Sequence, residues 1–247
     1  MDLRERRTQA HRHPWEVARS KFFRRLVRDH CTTPPTSVID IGAGDGWFAA
    51  QLRADISPSA SIVCWDAHYT TADLNEALPP GITRTTVAPQ TSASLVTALD
   101  VLEHVLDDVS FVRDQVRAVV AADGLLVVSV PAHPILFTSH DTALGHHRRH
   151  TPRTLRALLE PHFNIVQSGS LFTSLLVPRA LSAVKERVRP PRGVPTTDSE
   201  WRHGRVLTNV ITVALSADAT VGRWCARWRI PIPGLSVWAV CRPRAAS

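Results

Sequence analysis

The sequence has few of the patterns that mark a metal finger, a secreted scaffold, a membrane span or a repeat array. Its four cysteines, Cys31, Cys64, Cys225 and Cys241, form no CxxC pair, so their spacing predicts no zinc site. They read as reduced thiols, which predicts a cytoplasmic protein. The opening MDLRERRTQAHRH has no apolar core and does not predict a secretory signal. No run approaches the roughly 20 apolar residues of a membrane helix. The best stretch, 206–215, is short and is soon followed by Asp218. No internal repeat or low-complexity tract is visible. Lysine is scarce, and arginine carries nearly all of a net charge of +7. Such a balance suits an anionic partner: nucleic acid, an acidic membrane surface or a phosphorylated substrate. It suits equally the codon preference of a GC-rich genome, and the abundance of Ala, Val and Arg favours that explanation.

What is present is an alternation of strands and helices. The chain has 247 residues, 44% of them hydrophobic, enough for one large domain or a core with an insertion. Apolar runs predict strands at 37–41, 61–65, 82–87, 95–99, 124–130, 163–168 and 235–241. Helical spacing predicts helices over 13–30, 47–54, 109–122 and 151–160, with a mostly helical stretch at 201–228. In the first helix Trp15, Ala18, Phe22 and Leu26 share a face, while Arg19, Lys21, Arg24, Arg25 and Arg28 occupy the remainder. Pro14 suits its first position. Strands alternating with helices predict an α/β, Rossmann-like, doubly wound sheet, seven-stranded and mostly parallel, with a helical insertion before the last strand. The expected organisation is a helical segment 1–36, a core 37–170, an insertion 171–234, and a final strand and tail 235–247.

The stretch Val38–Gly46, VIDIGAGDG, carries the clearest chemistry. A buried strand leads into a turn where Gly42, Gly44 and Gly46 permit positive φ and remove side chains. A ligand can then lie against the backbone beside a helix N-terminus. Asp40 at the strand end offers a carboxylate to an ammonium group. Asp66, at the end of the second strand, is placed to accept hydrogen bonds from a ribose diol. A nicotinamide fingerprint, GxGxxG, would need glycine at position 47, and Trp47 stands there.

Asp40–Gly46, Asp66 and LDVLEHV (Leu99–Val105) together resemble the class I S-adenosylmethionine (SAM)-dependent methyltransferases, above all the broad small-molecule branch with the ubiquinone-type enzymes. The likeness spans about 37–131 and weakens to about 160. It implies SAM as cofactor and S-adenosylhomocysteine as product. It places Asp40, Gly42, Ala43, Gly44 and Gly46 at the methionyl part, Asp66 at the ribose, and Asp100, Val101 and His104 near the sulfur. The acid that often holds the adenine amino group in this family is missing from VAPQTSAS, where Gln90 or a carbonyl would have to serve. In some ubiquinone-type relatives the residue at Glu103 is a metal ligand. Here it reads equally as the start of a helix.

Ligands of open α/β sheets bind beyond the carboxyl ends of the strands. The segment leaving the fifth strand there holds His133, His140, Asp141, His146, His147, Arg148, Arg149 and His150, and its HD…GHxRR pattern recurs in bacterial relatives of this branch. Methyl transfer needs an aligned nucleophile and, where necessary, a base. The expected catalytic residues are His140 with Asp141, and His104. Arg148 and Arg149 suit an anion clamp or a structural pairing with Asp141. No defined metal-ligand spacing is present, so no metal site is assigned. The insertion, with Trp201, Trp224 and Trp228, reads as a lid over a greasy pocket, an amphipathic surface that meets a membrane, or a packed helical layer or dimer contact. The expectation is methyl transfer to a small, fairly apolar organic acceptor. Its rivals are action at a membrane surface on a lipid-linked sugar or quinone, and non-catalytic SAM binding. The [DNS]PP[YFW] signature of many nucleic-acid amino-methylating enzymes is absent, which argues against a nucleic-acid substrate. The oligomeric state is not legible.

Overall fold

A computed structural model describes residues 12–189, 201 and 203–244. Most of the linker read at 189–197, and the first eleven residues, lie outside the described residues.

Seven strands build one sheet: β1 (Ser37–Ile41), β2 (Ser61–Trp65), β3 (Ile82–Thr85), β4 (Ala93–Leu99), β5 (Val120–Pro131), β6 (Phe163–Leu171) and β7 (Ser236–Pro243). Their order is β3-β2-β1-β4-β5-β7-β6. β7 alone runs against the direction of the other six strands. The order reverses at β1 and β4, which opens a crevice at their carboxyl ends, where Asp40 and Asp100 lie.

Both faces of the sheet are covered, and alternate residues of each strand serve alternate faces. Leu95, Leu125, Val127, Trp238 and Val240 join one cluster with Phe22, Phe23 and Leu26 of α1 (Pro14–His30) and Leu52 of α2 (Trp47–Asp55). Val96, Leu126, Val128 and Ala239 join the other, with Val112, Val116, Leu155 and Leu159. The helices after α2 are α3 (Thr71–Asn75), α4 (Asp108–Ser110), α5 (Arg117–Val119), α6 (Ser139–Leu144), α7 (Pro152–Leu159), α8 (Leu176–Val188) and α9 (Arg205–Arg227).

Three local expectations change. The helix read over 109–122 is a composite of α4, a π-helical stretch Phe111–Val116 and α5, and it ends at Val119. β5 starts directly afterwards and pairs Val120 with Ala93 across a bulge. Gly124 permits this approach, because a Cβ there would lie 2.9 Å from the Ala93 carbonyl oxygen. β3 stops at Thr85, whose hydroxyl accepts from Val87 N and turns the chain. In α1, Arg19 is not on a solvent face: it is buried, as are Glu16 and Ser20. The helix packs on the sheet by one side and roofs the crevice with another.

The insertion is not detached from the core. α9 packs along α1 and β6, with Thr212, Leu215, Ala219, Gly222 and Cys225 turned inward.

Candidate active site

The glycine turn has the expected strain-free geometry. Gly42, Gly44 and Gly46 have φ of 63°, 56° and 77°, values that favour glycine. At Gly42 a Cβ would stand 2.6 Å from Val101 Cγ2, so the turn and the segment after β4 meet without room for a side chain. Asp66 ties the turn down: its Oδ2 accepts from Gly44 N at 3.1 Å, and its Oδ1 from His68 N at 2.9 Å. Asp40 is buried, and Thr97 Oγ1 donates to it at 2.5 Å. Burial pushes its carboxyl up to about 6, against the Thr97 hydrogen bond and the Arg19 charge, which both lower it.

α1 and the residues just before it supply groups that the sequence did not announce. Arg12 pairs with Asp45 of the turn and stacks over Trp47. Arg19 reaches Asp100 Oδ2 at 2.7 Å and Ser129 Oγ at 3.0 Å, between the Trp15 and Phe23 rings. Asp100 itself has φ of 59°, and its other oxygen accepts from Ser129 Oγ at 3.0 Å. The only available signal was Arg19 lying four residues after Trp15 and before Phe23, at helical spacing.

A cavity of about 370 Å³ joins these groups to the loop after β5. Asp40, Gly42, Ala43, Asp100 and His104 line it, and so do His140 and Asp141. Gly44, Gly46, Asp66 and Val101 do not line it: they build the turn behind Gly42 or its edge. Gln90 is exposed and bonds the Ala88 carbonyl.

Asp141 is wholly buried and meets four partners. His146 Nδ1 lies 3.1 Å from Oδ1, Arg149 Nη2 lies 2.7 Å from it, Arg179 of α8 pairs with Oδ2, and Thr138 N donates to Oδ2 at 2.9 Å. Burial alone would raise its pKa, but the hydrogen bonds of His146 and Arg149 hold it well below the ordinary carboxylate range. The imidazole oriented by Asp141 is therefore that of His146, whereas adjacency in sequence pointed to His140. His140 is half-buried, and desolvation first, then the Arg179 charge, lowers its pKa. Arg149 has the structural pairing, and Arg148 meets Asp108 at 2.9 Å.

Glu103, read from the sequence as a metal ligand or the start of a helix, stands at the centre. It is fully buried, and neither carboxylate oxygen has a hydrogen-bond partner among the described residues. Burial, then the Asp100 charge, raises its pKa well above the usual range. Glu103, His104 and His146 each offer a ligand atom, all within 4.8 Å of one another, so this corner can hold a divalent ion. His104 and His146 meet edge to face at 4.6 Å. LEH in sequence gave two of the three, but nothing placed His146 beside them.

The methyltransferase-domain family matches residues 10–171. The chain belongs to it. It is a class I SAM-dependent methyltransferase. Solved structures share the fold at low identity. The [4+2]-cyclase SpnF aligns over 98% of this chain and 86% of its own, with 13% identity and a TM-score of 0.56. The N-methyltransferase NodS from Bradyrhizobium japonicum WM9, bound to S-adenosylhomocysteine, aligns over 94% and 89%, with 12% identity and 0.52. LaPhzM is 16% identical over 62% of this chain, with a TM-score of 0.48, and the methyltransferase spans only 52% of LaPhzM. No curated protein matches the sequence.

Proposed function

We propose that this methyltransferase methylates a small, fairly apolar organic acceptor held between Asp100 and the imidazoles of His104 and His140. The observation that carries the reading is the single cavity lined both by the glycine turn and by this histidine cluster. Trp15, Phe48, Leu144 and Leu235 give it apolar walls.

Asp40 would hold the ammonium of SAM, the backbone at Gly42 and Ala43 its methionyl part, and Asp66 its ribose. Asp100, Val101 and His104 would lie near the sulfur. When bound, SAM supplies the electrophilic methyl group. The protein then has to align the acceptor and take its proton. His140 suits the second task, because its lowered pKa keeps it neutral at pH 7 and able to accept. Asp141 is a positioning residue, since Arg149, Arg179 and His146 hold it and it fixes the loop.

The test is methyl transfer by the full chain to small molecules fractionated from cell extract, read by mass shift. His140→Ala is expected to lower kcat by roughly 10²–10⁴-fold while SAM binding survives. An active His140→Ala beside an inactive His104→Ala moves the base to His104. SAM binding without transfer to any fraction overturns the catalytic reading.

The orphaned Glu103 favours a second reading, in which Glu103, His104 and His146 hold a divalent cation that orients the acceptor oxygen. Asp141 would then be the carboxylate behind a ligating histidine. Calorimetry with Mg²⁺, Mn²⁺ or Zn²⁺ on the wild type and on Glu103→Gln tests it. No metal-dependent heat in the wild type ends it.

A further inference from the structure

Among the described residues, two thirds of the exposed large apolar side chains lie on α8, on α9 and at Trp228 and Ile230 just beyond α9. They are ordered. On α8, Val177, Leu181, Val184 and Val188 recur at intervals of four, three and four, which makes one stripe along the helix, 54–73% exposed. On α9, Val206, Val210 and Val213 recur at intervals of four and three, and after a gap of eight Val221, Trp224 and Trp228, the last just past the helix end, recur at three and four, which keeps all six on one face. The opposite side of α9 is the one that packs on α1 and β6. Neither stripe is therefore needed to close the core, and apolar surface on this scale marks a contact.

The rims of both stripes are cationic. Lys185, Arg187 and Arg189 are exposed at the end of α8. Arg205 opens α9, and Arg227 and Arg229 stand at its end, all exposed. The two acids on these helices turn to the protein. Glu186 accepts from Ser139 N at 2.7 Å, and Asp218 accepts from Thr173 N and Ser174 N at 3.2 and 2.8 Å. A second copy of this chain seated on the stripes would bring arginine rims against arginine rims, which costs free energy. An anionic lipid surface instead meets the rims with phosphates and the stripes with acyl chains. Trp224 and Trp228 suit such a boundary, with an apolar ring and one polar N–H. No helix among the described residues is long and apolar enough to cross a membrane. An amphipathic helix of this kind lies in an interface instead of crossing it.

We propose that α8 and α9 dock the enzyme on an anionic phospholipid surface. The docking face is joined to the chemistry, since Arg179 of α8 pairs with Asp141 and lines the cavity. Docking stands apart from the choice of acceptor, because lipid binding and methyl transfer are read separately.

The experiment is flotation of the full chain with vesicles of phosphatidylcholine alone, or with about 30% phosphatidylglycerol, at about 0.1 and 0.5 M salt. The wild type is expected to float with the anionic vesicles at low salt, and at least about tenfold less in the other conditions. The variant carrying both Val184→Asp and Val213→Asp is expected to lose flotation while keeping wild-type SAM binding by calorimetry, which shows that it folds. Two results overturn the proposal: a wild type that stays unbound, or a variant that floats as well as the wild type. A wild-type dimer in light scattering that the variant makes monomeric, with no flotation of either, assigns the stripes to a second copy instead.

Discussion

Asp40 is a buried carboxylate, and its burial makes it responsive to pH. Its raised pKa means that ionisation weakens the fold: the full stability is present below the unfolded value of 3.8, and about 3 kcal/mol is lost as pH rises through about 6. A bound ammonium group reverses the balance by pairing with the ionised form. SAM affinity is therefore expected to climb between pH 5 and 7, while its amino group stays charged up to about pH 8. Calorimetry across that window checks this, and Asp40→Asn should flatten the profile. Asp66→Ala should weaken SAM by about 1.5–3 kcal/mol, because the ribose loses a charge-assisted acceptor and Gly44 N loses its tie. Unchanged affinity in the same titration would remove Asp66 from the cofactor site. Arg19→Leu leaves Asp100 without its partner in a mostly buried place, so urea unfolding should register a loss of about 2–3 kcal/mol. If the midpoint does not move, the pair is not holding α1 to β4.

At the scale of elements, α9 meets β6 through glycines. A Cβ on Gly222 would lie 2.9 Å from the Ser170 carbonyl oxygen, and one on Gly169 would lie 2.7 Å from the Ala226 Cβ. Gly222→Ala gains about 1 kcal/mol of helix propensity but pushes backbone from backbone, a strain of about 1–3 kcal/mol. We expect the strain to win and the melting temperature to fall by a few degrees. Such a contact is invisible in sequence, where Gly222 is merely a weak point in a helix. β1 and β2 were legible to the residue, because short apolar runs that stop at Gly42 and at Asp66 leave few alternatives. The stretch 109–122 was not, since Val112, Val116 and Val119 satisfy a helical period even where the turn widens to π. In α1 the period located the face against the core. A helix buried on two sides needs a tertiary partner to explain its second face, and Arg19 found one in Asp100. The site followed the same division. The glycine turn is local, so its residues could be read together. The meeting of Glu103 with His146 and Asp141 joins two chain segments, and Arg179 of α8 adds a third; only the fold brings them together.

For the whole molecule, the cofactor is a structural component as well as a reactant. SAM at a hundred times its dissociation constant adds about 2.7 kcal/mol of stability, which for a chain of this size raises the melting point by about 5–10 °C. A thermal-shift series should record that rise with SAM and S-adenosylhomocysteine and none with NAD. The order of the sheet has a different consequence, felt while the protein is being made. β7 lies between β5 and β6, yet Ser236 emerges from the ribosome roughly a hundred residues after Pro131, or about 5–20 s later at ordinary rates of synthesis. Through that interval the outer edge of β5, with Leu126, Val127, Val128 and Val130, has no permanent neighbour. A nascent chain with such an edge is open to pairing with another just like it. Crowded polysomes and slow codons within 132–235 would then set the yield of folded enzyme more than the stability of the finished sheet does.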